Sequence, residues 1–338
     1  MRAKTTAIQF RSPGTPVLVE VEAPDPAPGQ VRLEMIATSL CNHSELRSYS
    51  GGSREGYGSR YPMIPGEPGH EGVARVSDLG AGVEHLAVGD LVALTGWGGE
   101  PAHRGVLCRD AVEVARILPG ERDPAPASIL EMFASAYHCI KRIWRDDRQE
   151  NSRVAIVGLG AIGLCSLQLT RLWPVHTIVA VDARRSKLGL AERLGADETV
   201  QATAEVPDLA RNIGPVDIVI ECTGHPGGQS IAHALAPAVQ VNVSYVTEEF
   251  PVDQSRWFNA ETTLYNPGLP RTNDLQAVAH LYNRRLLDPA ALVTSRIRPE
   301  IGEYLRAIEA IREGDAVKIL MEWGPEGGHA SEGAAGQH

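Results

Sequence analysis

The stretch Val154-Ala-Ile-Val-Gly-Leu-Gly-Ala-Ile-Gly-Leu164, followed by Ile178-Val-Ala-Val-Asp182, decides the fold of this chain. Val154 to Val157 is an unbroken apolar run of the kind that forms a central parallel strand covered on both faces. Gly158, Gly160 and Gly163 satisfy G-x-G-x-x-G: one glycine for the tight turn, one for close approach of backbone to pyrophosphate, one for packing helix against strand. The helix that follows opens at Ala161-Ile162, and its free N–H groups and dipole stabilise phosphate charge without a cationic side chain. A second apolar strand ends in Asp182, about 20 residues beyond Gly163, where a carboxylate grips ribose hydroxyls. A purely structural glycine turn would not need that carboxylate, so the combination reads as a dinucleotide site. A carboxylate bonds a free 2′-hydroxyl and repels a 2′-phosphate, which favours NAD. Arg184 and Arg185 follow at once; they either accept a phosphate, which leaves NADP open, or form the solvated start of a helix.

Working outward, strands over 154–158, 177–182, 216–222 and 239–246 alternate with helical segments, the pattern of parallel βαβ units. Leu194-Gly195 and Gly214-Pro215 act as helix stops. Upstream, residues 1 to about 125 read as short strands with turn signals, among them Val31–Ala37 and Leu91–Leu94. A helix is expected over 128–144. After Asn266 the rhythm weakens, then Tyr304–Ile311 shows helical spacing and Val317–Met321 reads as a closing strand. Residues 324–338, rich in Gly, Ala, Ser and Glu, are expected to be disordered.

With 338 residues and 43% of them hydrophobic, the chain is long enough for about two domains, and it has no apolar run long enough to cross a bilayer. Its N-terminus lacks a signal-peptide pattern, so a cytoplasmic location is expected. The net charge of −10 is spread without a basic patch, which argues against a nucleic-acid partner. Five cysteines, Cys41, Cys108, Cys139, Cys165 and Cys222, stand without C-x-x-C pairs. That spacing argues against a disulfide framework and against a four-cysteine structural zinc lobe.

Two segments of the first region carry polar residues that turns do not need: Ser39-Leu-Cys41-Asn-His-Ser44-Glu45 and Pro65-Gly-Glu-Pro-Gly-His70-Glu71-Gly72. A catalytic zinc needs about three N, S or O ligands with one position left open. Cys41 and His70 supply a thiolate and an imidazole from separate loops. The third ligand is either Glu131, at the start of the helix leading into the nucleotide-binding region, or Glu71.

With these residues in view, the chain resembles the zinc-dependent medium-chain dehydrogenases/reductases, the alcohol and polyol dehydrogenase superfamily. The resemblance covers nearly the whole chain and rests on Cys41 with Ser44-Glu45, Gly69-His70-Glu71, Val88-Gly89-Asp90, Leu130-Glu131, the glycine fingerprint, Glu221-Cys-Thr-Gly224 and Ala316-Val-Lys318. It implies an α/β fold in which a Rossmann doubly wound parallel sheet, residues 133–266, is inserted in a β-rich GroES-like catalytic domain, residues 1–132 and 267–323. It also implies one catalytic zinc on Cys41, His70 and Glu131, with no structural zinc. Glu71 then matches a second carboxylate near the metal, Ser44 the hydroxyl that begins a proton relay, Glu45 a group that orients a ligand, and Lys318 a cation on the cofactor pyrophosphate. Thr223 joins the cofactor-binding set. The implied activity is NAD(H)-linked interconversion of a small alcohol, such as a polyol, sugar, cyclitol or natural-product alcohol, and its carbonyl, in a homodimer or homotetramer.

Three departures qualify the transfer. Asn42 and His43 both separate Cys41 from Ser44, where the family pattern has one residue. Arg47 stands where an outer relay histidine occurs in some members, so the proton is expected to leave through His43, Tyr49, Tyr57 or water. No cysteine-rich lobe fits between Leu94 and Cys108. The competing readings are a zinc-free quinone or enoyl reductase of the same fold and a cofactor-binding protein without turnover. Residue by residue, Cys41 competes with a buried small hydrophobe, Glu131 with a first-turn carboxylate, and Ser44 with a turn hydroxyl. His103, His138, His176, His225 and His233 are expected to be surface or satisfied core histidines.

Overall fold

Antiparallel pairing begins at the N-terminus, where β1 (Lys4–Ser12) and β2 (Thr15–Glu22) form a hairpin. The computed structural model describes residues 3–52, 60–96, 98–120, 122–143, 151–246 and 248–324. Within them the chain divides into two compact units: residues 1–131 with 289–338, and residues 132–288.

In the first unit β3 (Gln30–Ser39) is the hub. The helix α1 (Asn42–Ser50) follows it, and then β4 (Glu71–Leu79), β5 (Leu91–Leu94), β6 (Val106–Asp110) and β7 (Val114–Ile117). Val31, Leu33 and Met35 alternate inward along β3, as a pleated strand with one covered face requires, and pack with Phe10, Leu94 and Leu107. After helix α2 (Leu130–Ile140) the chain enters the second unit.

There β8 (Arg153–Val157), β9 (Thr177–Asp182), β10 (Glu198–Gln201), β11 (Ile218–Glu221), β12 (Val239–Asn242) and β13 (Thr263–Tyr265) form one sheet in the order β10-β9-β8-β11-β12-β13. Every pairing in it is parallel. That is the doubly wound order with the direction of winding reversing between β8 and β11, the place where such sheets bind dinucleotides. The helices α3 (Ala161–Thr170), α4 (Arg185–Arg193), α5 (Val206–Ile213), α6 (Pro226–Leu235), α7 (Gln254–Asn259) and α8 (Thr272–Asn283) belong to the same unit.

The chain re-enters the first unit at Pro289 rather than at residue 267, because α8 is tied to the second unit. Gln168 and Asp288 exchange two hydrogen bonds with each other's amide and backbone groups. Asp274, 1% exposed, accepts from His138 Nδ1 at 2.7 Å, from the Arg271 amide at 2.8 Å and from the Lys141 ammonium. His138 is thus a satisfied core histidine. Burial pushes the Asp274 carboxyl up, but Lys141, Arg271 and His138 more than offset it and hold it below its ordinary 3.8. The resulting stabilisation is complete above that ordinary value and is lost as pH falls through the lower folded value. Asp274→Asn is therefore expected to destabilise the protein by about 3 kcal/mol at neutral pH. It should also flatten the acid limb of a plot of urea midpoint against pH.

The remaining elements, β14 (Val293–Ile297), α9 (Ile301–Glu313) and β15 (Lys318–Glu322), complete the first unit. Its larger sheet runs β14-β15-β3-β4-β5-β7, with β6 also on β3. On α9, Tyr304, Ala307, Ile308 and Ile311 are buried at the spacing of one helical face. No helix among the described residues is long and apolar enough to cross a membrane. Residues 325–338, and with them nearly all of the expected disordered tail, lie outside the described residues.

Candidate active site

Strand register assembles the polar site of the first unit. β3 and β4 are antiparallel with Ser39 opposite Glu71, so Cys41, just past the end of one strand, meets His70, just before the start of the other. β15 runs antiparallel to β3 with Leu320 opposite Ser39, which carries Lys318 to the same end of the sheet. Ligand atoms of Cys41, His70 and Glu71 all lie within 4.8 Å of one another. Cys41 and His70 remain partly open to solvent, whereas Glu71 and Lys318 are fully buried.

The histidine is set up to bind through one nitrogen. Its Nδ1 lies 2.9 Å from the Pro68 carbonyl, which can only accept, so Nδ1 carries a proton and Nε2 is the nitrogen turned toward Cys41 and Glu71. Burial raises the Cys41 thiol, but the charge and hydrogen bond of His70 outweigh it and leave the thiol below its ordinary value. Burial lowers the His70 imidazole, but Cys41, Glu131 and Glu71 together hold it well above its ordinary value.

The two carboxylates differ in what already holds them. Both Glu71 oxygens lie 2.6 Å from Lys318 Nζ, which also reaches the Leu40 carbonyl at 3.1 Å, and Ser39 donates to the same carboxylate. Glu131 does not join the 4.8 Å set, and no hydrogen-bond partner holds it among the described residues. It lies beside His70 all the same: a Cβ at Gly96 would sit 3.8 Å from Glu131 Oε1 and 3.5 Å from His70 Cβ. Burial, partly offset by His70, pushes the Glu131 carboxyl up to about 7. A cation bound there would reverse that shift. The donor chemistry of Cys41, His70 and Glu131 fits zinc.

Two placements correct the sequence reading. Lys318, expected on a pyrophosphate, is instead enclosed against Glu71, because the β15–β3 register turns it inward. Glu45, expected to orient a ligand, is fully buried and accepts from His103 Nε2 at 2.8 Å and from the Tyr304 hydroxyl. Its position on α1 points it at Tyr304 of α9. His103 also meets Thr38 Oγ1 at 3.0 Å, so it too is a satisfied core histidine. Tyr304 and Ser39 were missed at the sequence level; Ser39 lay inside a segment that had been singled out, but its register opposite Glu71 was not readable there.

Ser44, in the first turn of α1, is partly exposed and has no hydrogen-bond partner among the described residues. Arg47 leaves Nε buried and unpaired among the described residues. A guanidinium does not give up its proton near neutral pH, so Arg47 cannot serve as the outer relay group. Of the outlets considered for the proton, Tyr57 lies outside the described residues.

In the second unit the three glycines meet three different demands. Gly158 has φ +93°, the left-handed region. A Cβ on Gly163 would strike the Gly158 carbonyl, whereas one on Gly160 would meet nothing within 4 Å. Gly160 is the N-cap of α3, which opens at Ala161 and Ile162. Asp182 accepts from the amides of Leu159 at 2.7 Å and Arg184 at 2.8 Å, tying the end of β9 to the glycine turn. Arg184 is exposed. The Thr223 hydroxyl donates to Glu221 and accepts from the His225 amide at 3.0 Å.

Comparison with known proteins agrees with this architecture. Residues 27–115 match the alcohol dehydrogenase GroES-like domain, and residues 161–284 match the zinc-binding dehydrogenase family. Alcohol dehydrogenase 1 of Trifolium repens is 26% identical over 372 residues, covering 91% of this chain and 94% of that protein. Sorbitol dehydrogenase of Gallus gallus is 26% identical over 346 residues, covering 89% and 92%. A crystal structure of a zinc-binding dehydrogenase from Sinorhizobium meliloti 1021, bound to NADP, superposes with a TM-score of 0.80 at 20% identity, covering 95% of this chain and 100% of that one. The chain belongs to the medium-chain dehydrogenase/reductase superfamily and is an oxidoreductase of the alcohol dehydrogenase family.

Proposed function

We propose that the chain is an NAD-preferring dehydrogenase that carries one catalytic zinc and oxidises a small hydroxylated molecule, of polyol, sugar or related type, to its carbonyl. The observation that carries this reading is the pairing of Cys41 with a His70 whose Nδ1 is already committed, beside a buried carboxylate, Glu131, that has no hydrogen-bond partner among the described residues. Cys41, His70 and Glu131 would hold the metal, with Glu71 kept aside by Lys318. When bound, the zinc supplies Lewis acidity that lowers the pKa of the substrate hydroxyl. Ser44 takes that proton and passes it outward by way of His43, Tyr49 or water. A nicotinamide held in the second unit would supply the acceptor for the carbinol hydride, the substrate then leaving as its carbonyl. Gly158, Gly160, Gly163, the α3 N-terminus and Asp182 hold the dinucleotide. A homodimer or homotetramer, as implied by the resemblance, is part of the same proposal.

Asp182 favours NAD because its charge opposes a 2′-phosphate. Asp182→Asn keeps an acceptor for the Leu159 amide and removes the charge. It is expected to raise kcat/KM with NADP relative to NAD by roughly tenfold. The reading is tested by assaying polyols, sugars and secondary alcohols with NAD and NADP in parallel. It predicts NADH formation from at least one hydroxylated substrate, lost on chelation of the metal and restored by zinc. Full activity after metal removal would favour the zinc-free reductase instead.

A further inference from the structure

We infer that the second half of the parallel sheet carries a chain of side-chain amides whose direction is set by one buried carboxylate, and that it ends in an aimed donor, Asn266 Nδ2, for the carboxamide oxygen of the nicotinamide. The inference rests on the dinucleotide reading above and deepens it.

The starting observation is a strand that is polar where it should not be. β12 lies between β11 and β13, and such covered parallel strands are normally apolar throughout. Here Val239-Gln240-Val241-Asn242 alternates, and Gln240 is fully buried with its Oε1 unpartnered among the described residues. An apolar side chain at 240 would be better tolerated, so the polar row calls for a use.

The row is continuous. Glu221, at the end of β11, accepts from the Thr223 amide at 2.7 Å, from the Thr223 hydroxyl and from Gln229 Nε2 at 2.9 Å. Gln229 must therefore turn its NH2 toward Glu221, and its Oε1 accepts from Gln240 Nε2 at 3.2 Å. Gln229 and Gln240 both donate to Asn242 Oδ1, at 3.2 and 2.9 Å. Asn242 Nδ2 is then left to donate to Asn266 Oδ1 at 2.9 Å. Reversing any one amide would set oxygen against oxygen or NH2 against NH2, so the orientation propagates from the carboxylate. Its outcome is an exposed Asn266 NH2 with no partner among the described residues.

Position identifies the ligand group. Sheets of this order bind one mononucleotide at the carboxyl ends of each half. The half built from β8, β9 and β10 holds the glycine turn and Asp182, which suit the adenosine side. The other half is left for the nicotinamide nucleotide, and Asn266 directly follows β13. The nicotinamide ring carries one polar substituent, a carboxamide, and a donor fixed in direction matches its oxygen. The segment is anchored, since His138 Nε2 lies 3.3 Å from the carbonyl of the next residue, Pro267.

The test uses the full chain and two probes, NADH and ADP-ribose, which lacks the nicotinamide. Asn266→Asp keeps an acceptor for Asn242 and deletes the donor; Gln240→Leu breaks the row upstream and leaves Asn266 in place. Both are expected to weaken NADH binding, by about threefold to tenfold, while ADP-ribose binding is unchanged. The 3-acetylpyridine analogue, which keeps the carbonyl and lacks the NH2, should show the same loss with Asn266→Asp. NADH binding to Asn266→Asp as tight as to the wild type, or an equal loss for ADP-ribose, overturns the inference and leaves the dinucleotide reading standing. Failure of the wild-type chain to bind ADP-ribose at all overturns both.

Discussion

Alanine at Cys41 or at His70 is expected to lower kcat by about three orders of magnitude or more, with zinc lost from the purified protein and ADP-ribose binding retained. The expectation follows from how few donors are available. Glu71 is committed to Lys318, so in the proposed set of Cys41, His70 and Glu131 the loss of one donor would leave two, too few to hold a tetrahedral metal with an open position. The two substitutions act on one centre, and the double variant should be no worse than either single one. Metal content and single-turnover hydride transfer, measured on the same samples, check it. A Cys41→Ala protein that keeps both zinc and turnover would remove Cys41 from the ligand set.

The second large effect is one of stability. Lys318→Met is expected to destabilise the protein by about 3–5 kcal/mol, because it leaves the Glu71 carboxylate charged and unpaired at a fully buried position. Burial works against the Lys318 charge, but Glu71 first, and then Cys41 and Glu131, raise the ammonium above its ordinary value. Glu71→Gln combined with Lys318→Met removes both charges and should recover most of the loss, a coupling that a double-mutant cycle in urea measures. Surface ion pairs such as Lys4–Glu20 should show almost none of this. The single variant also frees Glu71 to compete with Glu131, so its metal site should bind zinc in altered geometry.

The parts of this molecule that were legible in the chain are those whose signal is local. The glycine spacing, Asp182 and the apolar runs of β8, β9 and β11 each lie within a few residues, and the structure places those strands in one parallel sheet. β13 was missed because Thr263-Leu-Tyr is a short edge strand with no apolar alternation to announce it. The point of return to the first unit was set too early for a related reason: what ties α8 to the second unit is the long-range contact of Asp274 with His138 and Lys141. Cys41, His70 and both carboxylates were readable as donor types. The division between Glu71 and Glu131 was not, since it depends on Lys318 arriving from a strand nearly 250 residues away in register with β3. Glu45 was misjudged because its direction is fixed by helical phase, which the Cys41–Ser44 spacing obscured.

The most direct test of the account is zinc K-edge X-ray absorption on the purified protein, with metal stoichiometry measured alongside. The account predicts one zinc per chain, bound by one sulfur and by nitrogen and oxygen donors. A protein isolated without zinc that still oxidises alcohols, or a zinc bound by three or four sulfurs, would contradict it.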